Sequence, residues 1–496
     1  MNVKGVLLNI SLVSALFCGK VFGQCSGYEC LKAYVDKPDS SYKWTDSGVR
    51  LEDGRGWTGY LLNFTSQTWL SPELVSRSEW WHQLLIIVPD EIKVLDTSTL
   101  WITGKDNDDG DVVSSEYFDV QFMADVAVTQ GMTTAVLFQV PNQPIVFSED
   151  ILQDSRKEDA IIAFTWWHFL NDEESNAEYL LRLPMTKAAV KAMDTVNFFL
   201  TDDTAPEEIQ DIGLDPTKFI IGGASKRGWT TWSTSAVDPR VIGSMPTVMD
   251  ELNFIKNLKH HWMSLGGWTF QFEDYWKLNL TLYFEDPKMQ TMFDIVDTYE
   301  YRENMMMPKL VICAANDEFF LPTDSRYWWF DMPDRQLLNR MLMLPNSGHS
   351  FGDALTPRLP SVNNWIQQVL QNQIDKIPQF EWSIVQGSGD IEISSELAPT
   401  KVELWSAISC NDQRRDWRKA NIDGACTCGT LENGICFNEK SVYSSEILEE
   451  TSPGYIFKYS TKIIARFVLL RISSMDSKEI SPSRWKISGI LCYNAL

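Results

Sequence analysis

This sequence is short of histidine, of positive charge and of long apolar runs. Five histidines stand among its 496 residues, so the search for a general base has few places to go. Lysine and arginine number 43 against 67 aspartates and glutamates, leaving a net charge of −24. Such a surface repels nucleic acid and anionic membranes, so neither is expected as a partner. Past residue 23 no apolar run reaches the ~20 residues that a membrane-spanning helix requires. No convincing internal repeat or low-complexity run is present. Cys426-Thr427-Cys428 falls one residue short of the C-x₂-C spacing of a zinc site. No metal and no cofactor are expected.

What is present is the material of a globular protein, 44% hydrophobic and 22% charged. The length calls for two domains, one of them large. Aromatics are plentiful, with 20 tryptophans, which points to broad aromatic packing and an aromatic-lined surface. Met1-Asn2-Val3-Lys4 is a short basic start, Gly5 to Cys18 is a mostly apolar core interrupted by Asn9, and Val21-Phe22-Gly23 carries a small-residue cleavage pattern. Residues 1–23 therefore read as a secretory signal peptide, and the product is expected to be secreted and extracellular. On that route Cys25, Cys30, Cys410, Cys426, Cys428, Cys436 and Cys492 are disulfide candidates, and Cys313, inside an apolar strand, is a buried free thiol. Asn63 and Asn279 head glycosylation acceptors, Asn63-Phe64-Thr65 and Asn279-Leu280-Thr281.

Residues 24–43 are polar and carry two cysteines, the make-up of a surface arm tied by Cys25 and Cys30. From 44 to 376 strands alternate with helices. Gly59–Thr65, Trp80–Pro89, Leu100–Gly104, Thr133–Val140, Lys218–Ile221, Val241–Val248, Lys309–Asn316 and Arg340–Pro345 read as strands. Tyr117–Gln130, Asp159–Leu170, Met185–Leu200 and Val362–Gln373 read as helices, and a Trp-rich, largely helical insertion precedes Met307. Several strands are continuous apolar runs, as a parallel sheet covered on both faces requires. The expected class is α/β, an α/β-hydrolase fold with a mostly parallel sheet and helices on both faces. Past Pro378 the runs Val402–Ser406, Ile463–Leu470 and Trp485–Ile490 are short and separated by turns and cysteines. Residues 380–496 are expected to form a small β-rich domain, a sandwich.

The chemistry gathers around Lys218-Phe219-Ile220-Ile221-Gly222-Gly223-Ala224-Ser225-Lys226-Arg227-Gly228-Trp229. A buried strand, small residues, a serine and a helix start make the layout of a nucleophile elbow. The G-x-S-x-G pattern is broken: Gly223 is in place, but Arg227 stands two after Ser225 and Gly228 comes one later. The plainer reading is a Gly-rich turn whose serine caps the helix. An acyl-transfer serine needs a base, and His349, in a small-residue loop just after a strand, is best placed. His82 and His168 each follow a Trp-Trp pair and read as packed positions; His260 and His261 lie in the aromatic insertion. Asp317 directly follows a strand, where open α/β sheets put their sites. Asp250 is the alternative acid, and a helix N-cap is the alternative role for Asp317. Oxyanion donors would be the N–H of Lys226 and one from the loop at Gly104 and Lys105. Lys226 and Arg227 either add positive charge suited to an anionic intermediate or a carboxylate-bearing ligand, or are solvated bases at a helix start.

Tyr34-Val35-Asp36-Lys37-Pro38-Asp39, Thr58-Gly59-Tyr60, Ser66-Gln67-Thr68-Trp69, Gly223-Ala224-Ser225-Lys226-Arg227-Gly228-Trp229, Gly266-Gly267-Trp268-Thr269-Phe270 and Asn316-Asp317-Glu318-Phe319-Phe320 resemble the PhoPQ-activated pathogenicity-related protein family. The resemblance covers most of 32 to 375 and extends more weakly to Val402–Ser406 and Arg414–Arg418. The order serine, basic residue, any residue, glycine is more distantly similar to glucuronoyl esterases. The family resemblance implies an α/β-hydrolase fold related to dipeptidyl peptidases, with a triad at Ser225, Asp317 and His349. Its eukaryotic members include secreted signals that slow proliferation, so the resemblance implies an extracellular signal that restrains proliferation through a cell-surface receptor; the alternative is an active secreted serine hydrolase with a small ester or peptide substrate. The segment between Cys410 and Cys436 departs from the family pattern.

Overall fold

The computed structural model describes residues 25–494 apart from 109, 111, 204, 378–379, 385–389, 400, 410–413, 423–425, 427, 440, 460–465 and 475–485. The expected signal peptide and Cys410 lie outside the described residues, and the side chain of Cys492 is likewise not described.

Nine strands build one sheet: β1 (Lys43–Leu51), β2 (Trp57–Thr68), β3 (Glu79–Pro89), β4 (Val94–Ile102), β5 (Met132–Leu137), β6 (Lys218–Ala224), β7 (Val241–Thr247), β8 (Lys309–Ala314) and β9 (Asn339–Leu344). Their order is β1-β2-β3-β5-β4-β6-β7-β8-β9. The pairs from β1 to β5 are antiparallel and those from β5 to β9 are parallel. Every residue of β5, β8 and β9 is buried, which is why these strands are continuous apolar runs rather than alternating ones. Helices α1 (Tyr28–Asp36), α2 (Phe118–Gln130), α3 (Asp159–Asn171), α4 (Arg182–Thr201), α5 (Glu207–Gln210) and α6 (Lys226–Val237) connect them. α6 lies on β6 and β7 with α4 against it; α2 lies on β5, with the closing helix Leu359–Leu370 beside it. The strand order, with β5 set between β3 and β4 and a serine at the end of β6, is the α/β-hydrolase fold. The insertion between β7 and β8 carries α7 (Phe254–Leu265), α8 (Glu273–Lys277) and α9 (Pro287–Val296).

Two stretches differ from the sequence reading. Residues 28–36 are not a surface arm but helix α1, with Cys30, Leu31, Tyr34 and Val35 buried. Their spacing puts four apolar side chains on one face, and the Tyr34 hydroxyl donates to Gln67 Oε1 at 3.0 Å. The expected Cys25–Cys30 link is present. β1 was not expected as a strand, because its residues are half polar and half exposed; pairing with β2 forms it at the sheet's edge.

The C-terminal region is β-rich and antiparallel. Phe380–Ile384, Ile391–Ser395, Glu450–Ser452 and Ile456–Tyr459 share one sheet; Lys401–Ile408, Ser444–Ile447, Arg466–Ser474 and Lys486–Asn494 share another. Ile391, Ile393 and Phe457 of the first meet Val402 and Leu404 of the second in a small core, the packing of a sandwich. Cys426 pairs with Cys436, Cys428 is also disulfide-bonded, and Cys313 is a buried thiol outside any disulfide. The region does not hang from a linker. The Asn316 amide donates to Trp417 O at 2.6 Å and Ser441 O at 2.8 Å. Asn346 and Tyr443 exchange two hydrogen bonds, at 3.0 and 2.7 Å.

A buried carboxyl at the end of α9 ties stability to pH. Asp297 is 2% exposed and accepts the N–H of Phe254 and Tyr299. Burial still pushes it up to about 7. A raised carboxyl favours the fold fully below its unfolded value near 4, and that stability is lost as pH rises through about 7. The full rise corresponds to a loss on the order of 4 kcal/mol on ionisation. Urea unfolding of Asp297→Asn should therefore lose less stability between pH 5 and pH 8.5 than the parent protein; equal losses would reject the assignment.

Candidate active site

Ser225 stands between β6 and α6 at φ 57° and ψ −127°, a backbone conformation that a non-glycine residue adopts only when its surroundings force it. Its N–H donates to Thr247 O at 2.9 Å, and its carbonyl accepts from Trp229 at 3.0 Å. The turn is a nucleophile elbow in shape. A Cβ at Gly223 would lie 2.8 Å from the carbonyl oxygens of Arg227 and Ile102, and one at Gly228 would lie 2.7 Å from Met249 Cβ and 2.9 Å from Thr247 O. The close approach of helix and strand thus falls three residues after the serine, and Gly228 serves it.

Arg227 is then free to turn outward, and it does not stay solvated. Its guanidinium donates to Val140 O at 2.5 Å and to Glu158 at 2.8 Å. A Cβ on Gly104 would collide with that guanidinium, so the glycine of the loop after β4 makes room for Arg227. Lys226 Nζ is bound by Glu158 at 2.8 Å and Asp159 at 3.0 Å. Burial alone would raise the Glu158 carboxyl; the Arg227 and Lys226 charges outweigh it and hold it well below the usual range. Neither basic side chain is a solvated helix-start base, and neither offers an uncompensated charge to an anionic ligand. The expectation of extra positive charge at the serine is corrected on this point. Beneath the elbow, buried Arg182 donates to Lys226 O at 2.7 Å and sits 4.1 Å from the Trp229 ring centroid; sequence reasoning passed it over.

His349 and Asp317 meet from two loops, after β9 and after β8. His349 Nδ1 lies 3.0 and 2.9 Å from the two Asp317 oxygens. A carboxylate there holds the proton on Nδ1 and leaves Nε2 as the base. Asp317 Oδ1 also accepts the N–H of Phe319 and Phe320; this closes a turn, since no helix begins at this point and the helix N-cap alternative is not what forms. Glu318, which the sequence did not single out, accepts the His349 N–H at 2.7 Å. Gly348 allows this, since a Cβ there would lie 2.6 Å from Glu318 Oε1; a glycine beside a candidate base was the available signal. Among the described residues no hydrogen bond joins the Ser225 hydroxyl to the His349 ring. Phe319 and Phe320 pack on that ring at 4.6 and 5.8 Å and line the same cavity as Ser225.

Asp250 accepts the Cys313 thiol rather than His349, and burial with the nearby Asp317 charge pushes it up to about 7. It neighbours the pair without replacing Asp317. The other histidines are occupied. His82 is buried between Ser66 Oγ and Phe138 O, and His168 stacks on Tyr179 and meets Glu149 at 2.8 Å. His260 reaches Thr323 Oγ1 at 2.8 Å, and His261 is buried. Lys105 has φ 106° and its Nζ lies 3.2 Å from the Tyr117 hydroxyl. Asn63 and Asn279 are both exposed. Among the described residues no group of three or more His, Cys, Asp or Glu is arranged to hold a metal ion, and no helix is long and apolar enough to cross a membrane.

The model of the PhoPQ-activated pathogenicity-related protein family matches residues 31–418. The chain belongs to that family. One family relative, "Autocrine proliferation repressor protein A" of Dictyostelium discoideum, is 35% identical over 424 residues, covering 83% of this chain and 78% of that protein. Among solved structures, the acetyl xylan esterase from Paenibacillus sp. R4 is 12% identical with a TM-score of 0.44, over 70% of this chain and 92% of its own. A glucuronoyl esterase from Solibacter usitatus is 11% identical with a TM-score of 0.41, over 72% of this chain and 89% of its own. These structural likenesses are distant, and the fold of this family member rests on its strand order. The family match ends at Arg418, inside the segment from Cys410 to Cys436.

Proposed function

We propose that this family member is an extracellular serine hydrolase that cleaves an ester or peptide bond with Ser225, His349 and Asp317. The observation that carries the reading is the two-oxygen contact of Asp317 with His349 Nδ1, behind the Phe319 and Phe320 rings that share a cavity with a serine in a forced turn. Ser225 Oγ attacks the scissile carbonyl while His349 Nε2 takes its proton. The C–O or C–N bond then breaks, and the leaving group receives that proton from Nε2. Water, deprotonated by the same nitrogen, attacks the acyl-enzyme and releases the acid and Ser225. The developing oxyanion would be met by the N–H of Lys226, at the first helical position where no intrahelical acceptor exists, and by one N–H of the stretch Gly104–Lys105. A fluorophosphonate probe should label the parent protein and not Ser225→Ala; labelling that survives in Ser225→Ala would sink the reading.

A second reading, restraint of cell proliferation through a receptor, is supported by the 35% identity to a protein named for that activity. Purified protein added to cells of the source organism should slow their growth. If Ser225→Ala slows growth equally, the signal is independent of turnover; no effect of either protein at any dose rejects the signal. Secretion and glycosylation belong to this reading. Protein recovered from the medium should begin at Gln24 and lose mass on N-glycosidase treatment; Asn63→Gln/Asn279→Gln protein should keep the same start and lose no mass.

A further inference from the structure

The cavity beside Ser225 has a wall of unusual chemistry. Leu258, Trp268, Phe272 and Phe284 come from the insertion between β7 and β8, and Phe319 and Phe320 stand on the side of His349. The ionisable groups that line it are already satisfied. Lys226 is bound by Glu158 and Asp159, and Asp159 also accepts the Tyr275 hydroxyl at 3.0 Å. Glu251 is 3% exposed, and burial, with its carboxylate neighbours, holds its carboxyl well above the ordinary range. A carboxylate entering this space would leave water and find no free counter-charge, because Lys226 is already paired twice. An apolar group would lose only water.

The histidine fixes which part of a substrate goes there. The leaving group must lie near His349 to collect its proton, and His349 is not among the residues lining the cavity. The group that stays bonded to the carbonyl carbon, and hence to Ser225 in the acyl-enzyme, is the one left to fill it. The cavity measures about 50 Å³; at ~10–15 Å³ per water centre and ~30 Å³ of liquid per water, it holds on the order of one phenyl ring or a four-to-six-carbon chain. On the hydrolase reading given above, we propose that this is an acyl-group subsite, that it selects short uncharged aliphatic or single-ring acyl groups, and that it rejects acyl groups bearing a carboxylate.

The test is a series of p-nitrophenyl esters: acetate, butyrate, hexanoate, dodecanoate, benzoate and the succinate half-ester. kcat/KM should rise about tenfold from acetate to butyrate, fall again at dodecanoate, and drop at least about 100-fold for the succinate relative to butyrate. Trp268→Ala, or Phe272→Ala if the first fails to fold, should move the optimum to longer chains. A flat profile, or succinate turned over as well as butyrate, overturns the subsite while the hydrolase stands. If no Ser225-dependent turnover or labelling is found, the hydrolase reading fails and the subsite is judged by binding alone. Calorimetric titration should then show saturable binding of the neutral ketone 4-phenyl-2-butanone and none of the similar carboxylate 3-phenylpropanoate. Equal binding of both, or binding of neither, overturns it.

Discussion

Asp317→Asn is expected to keep its fold and lose about 10⁴-fold in kcat on an ester substrate. The new amide retains an oxygen for the Phe319 and Phe320 N–H groups that Asp317 Oδ1 now accepts, so the turn survives. What changes is the tautomer. Beside His349 Nδ1 an amide no longer demands a proton on that nitrogen, and a proton moved to Nε2 blocks the base. Asp250→Asn is the control. Its carboxyl meets the Cys313 thiol and is pushed up to about 7 by burial and the Asp317 charge, so it already spends most of its time neutral below that pH. An amide of the same shape should change kcat by less than about threefold, a small fraction of the effect of losing the orienting carboxylate. Comparable losses in both variants, measured on protein of matched thermal stability, would reassign the acid.

Gly228→Ala should harm both stability and rate. The added methyl would sit 2.7 Å from Met249 Cβ, 2.9 Å from Thr247 O and 3.1 Å from Gly223 O. Two of these are backbone atoms of the strands that carry the elbow, so relief requires α6 to back away from β6 and β7. Overpacking of this kind costs about 1–3 kcal/mol. Moving α6 also moves Ser225 and the Lys226 N–H, and a displacement of ~1 Å is worth about 100-fold in rate. Denaturant midpoints and labelling rates should fall together. A stable variant with full reactivity would mean that the shifted glycine is incidental. Arg227→Gly, which restores the common spacing, should not rescue it, because the contact lies at residue 228.

The parts of the molecule that could be read from the sequence are those set by short-range pattern. Val241–Thr247 and Lys309–Ala314 are apolar runs that only a sheet covered on both sides can bury. Ser225, Asp317 and His349 each follow such a run, so their placement at strand ends was legible before their meeting was. The misreadings share one cause, distance along the chain. Arg227 looks solvated until Glu158 is brought to it across 69 residues. Glu318 looks like any acidic neighbour until His349 arrives 31 residues later. Residues 28–36 look like a polar arm because the partner of Tyr34 is Gln67, on a strand not yet formed when the helix is read alone. Arg182 lies three residues before the expected helix Met185–Leu200, and only the packing of α4 on α6 shows it beneath the nucleophile turn.

The grip of the C-terminal region on Asn316 and Asn346 bears on how the molecule comes into being. Asn316 is the residue before Asp317, and its amide partners lie 101 and 125 residues further along; Asn346, three before His349, waits 97 residues for Tyr443. A ribosome adding about 5–20 residues each second leaves both loops without these partners for several seconds after their own strands have been made. The nine-stranded sheet can close first, but the two loops that bring Asp317 and His349 together are fastened only after residues 417–443 have been made. Activity of the proposed kind would therefore be withheld from a nascent chain that has not yet reached Tyr443.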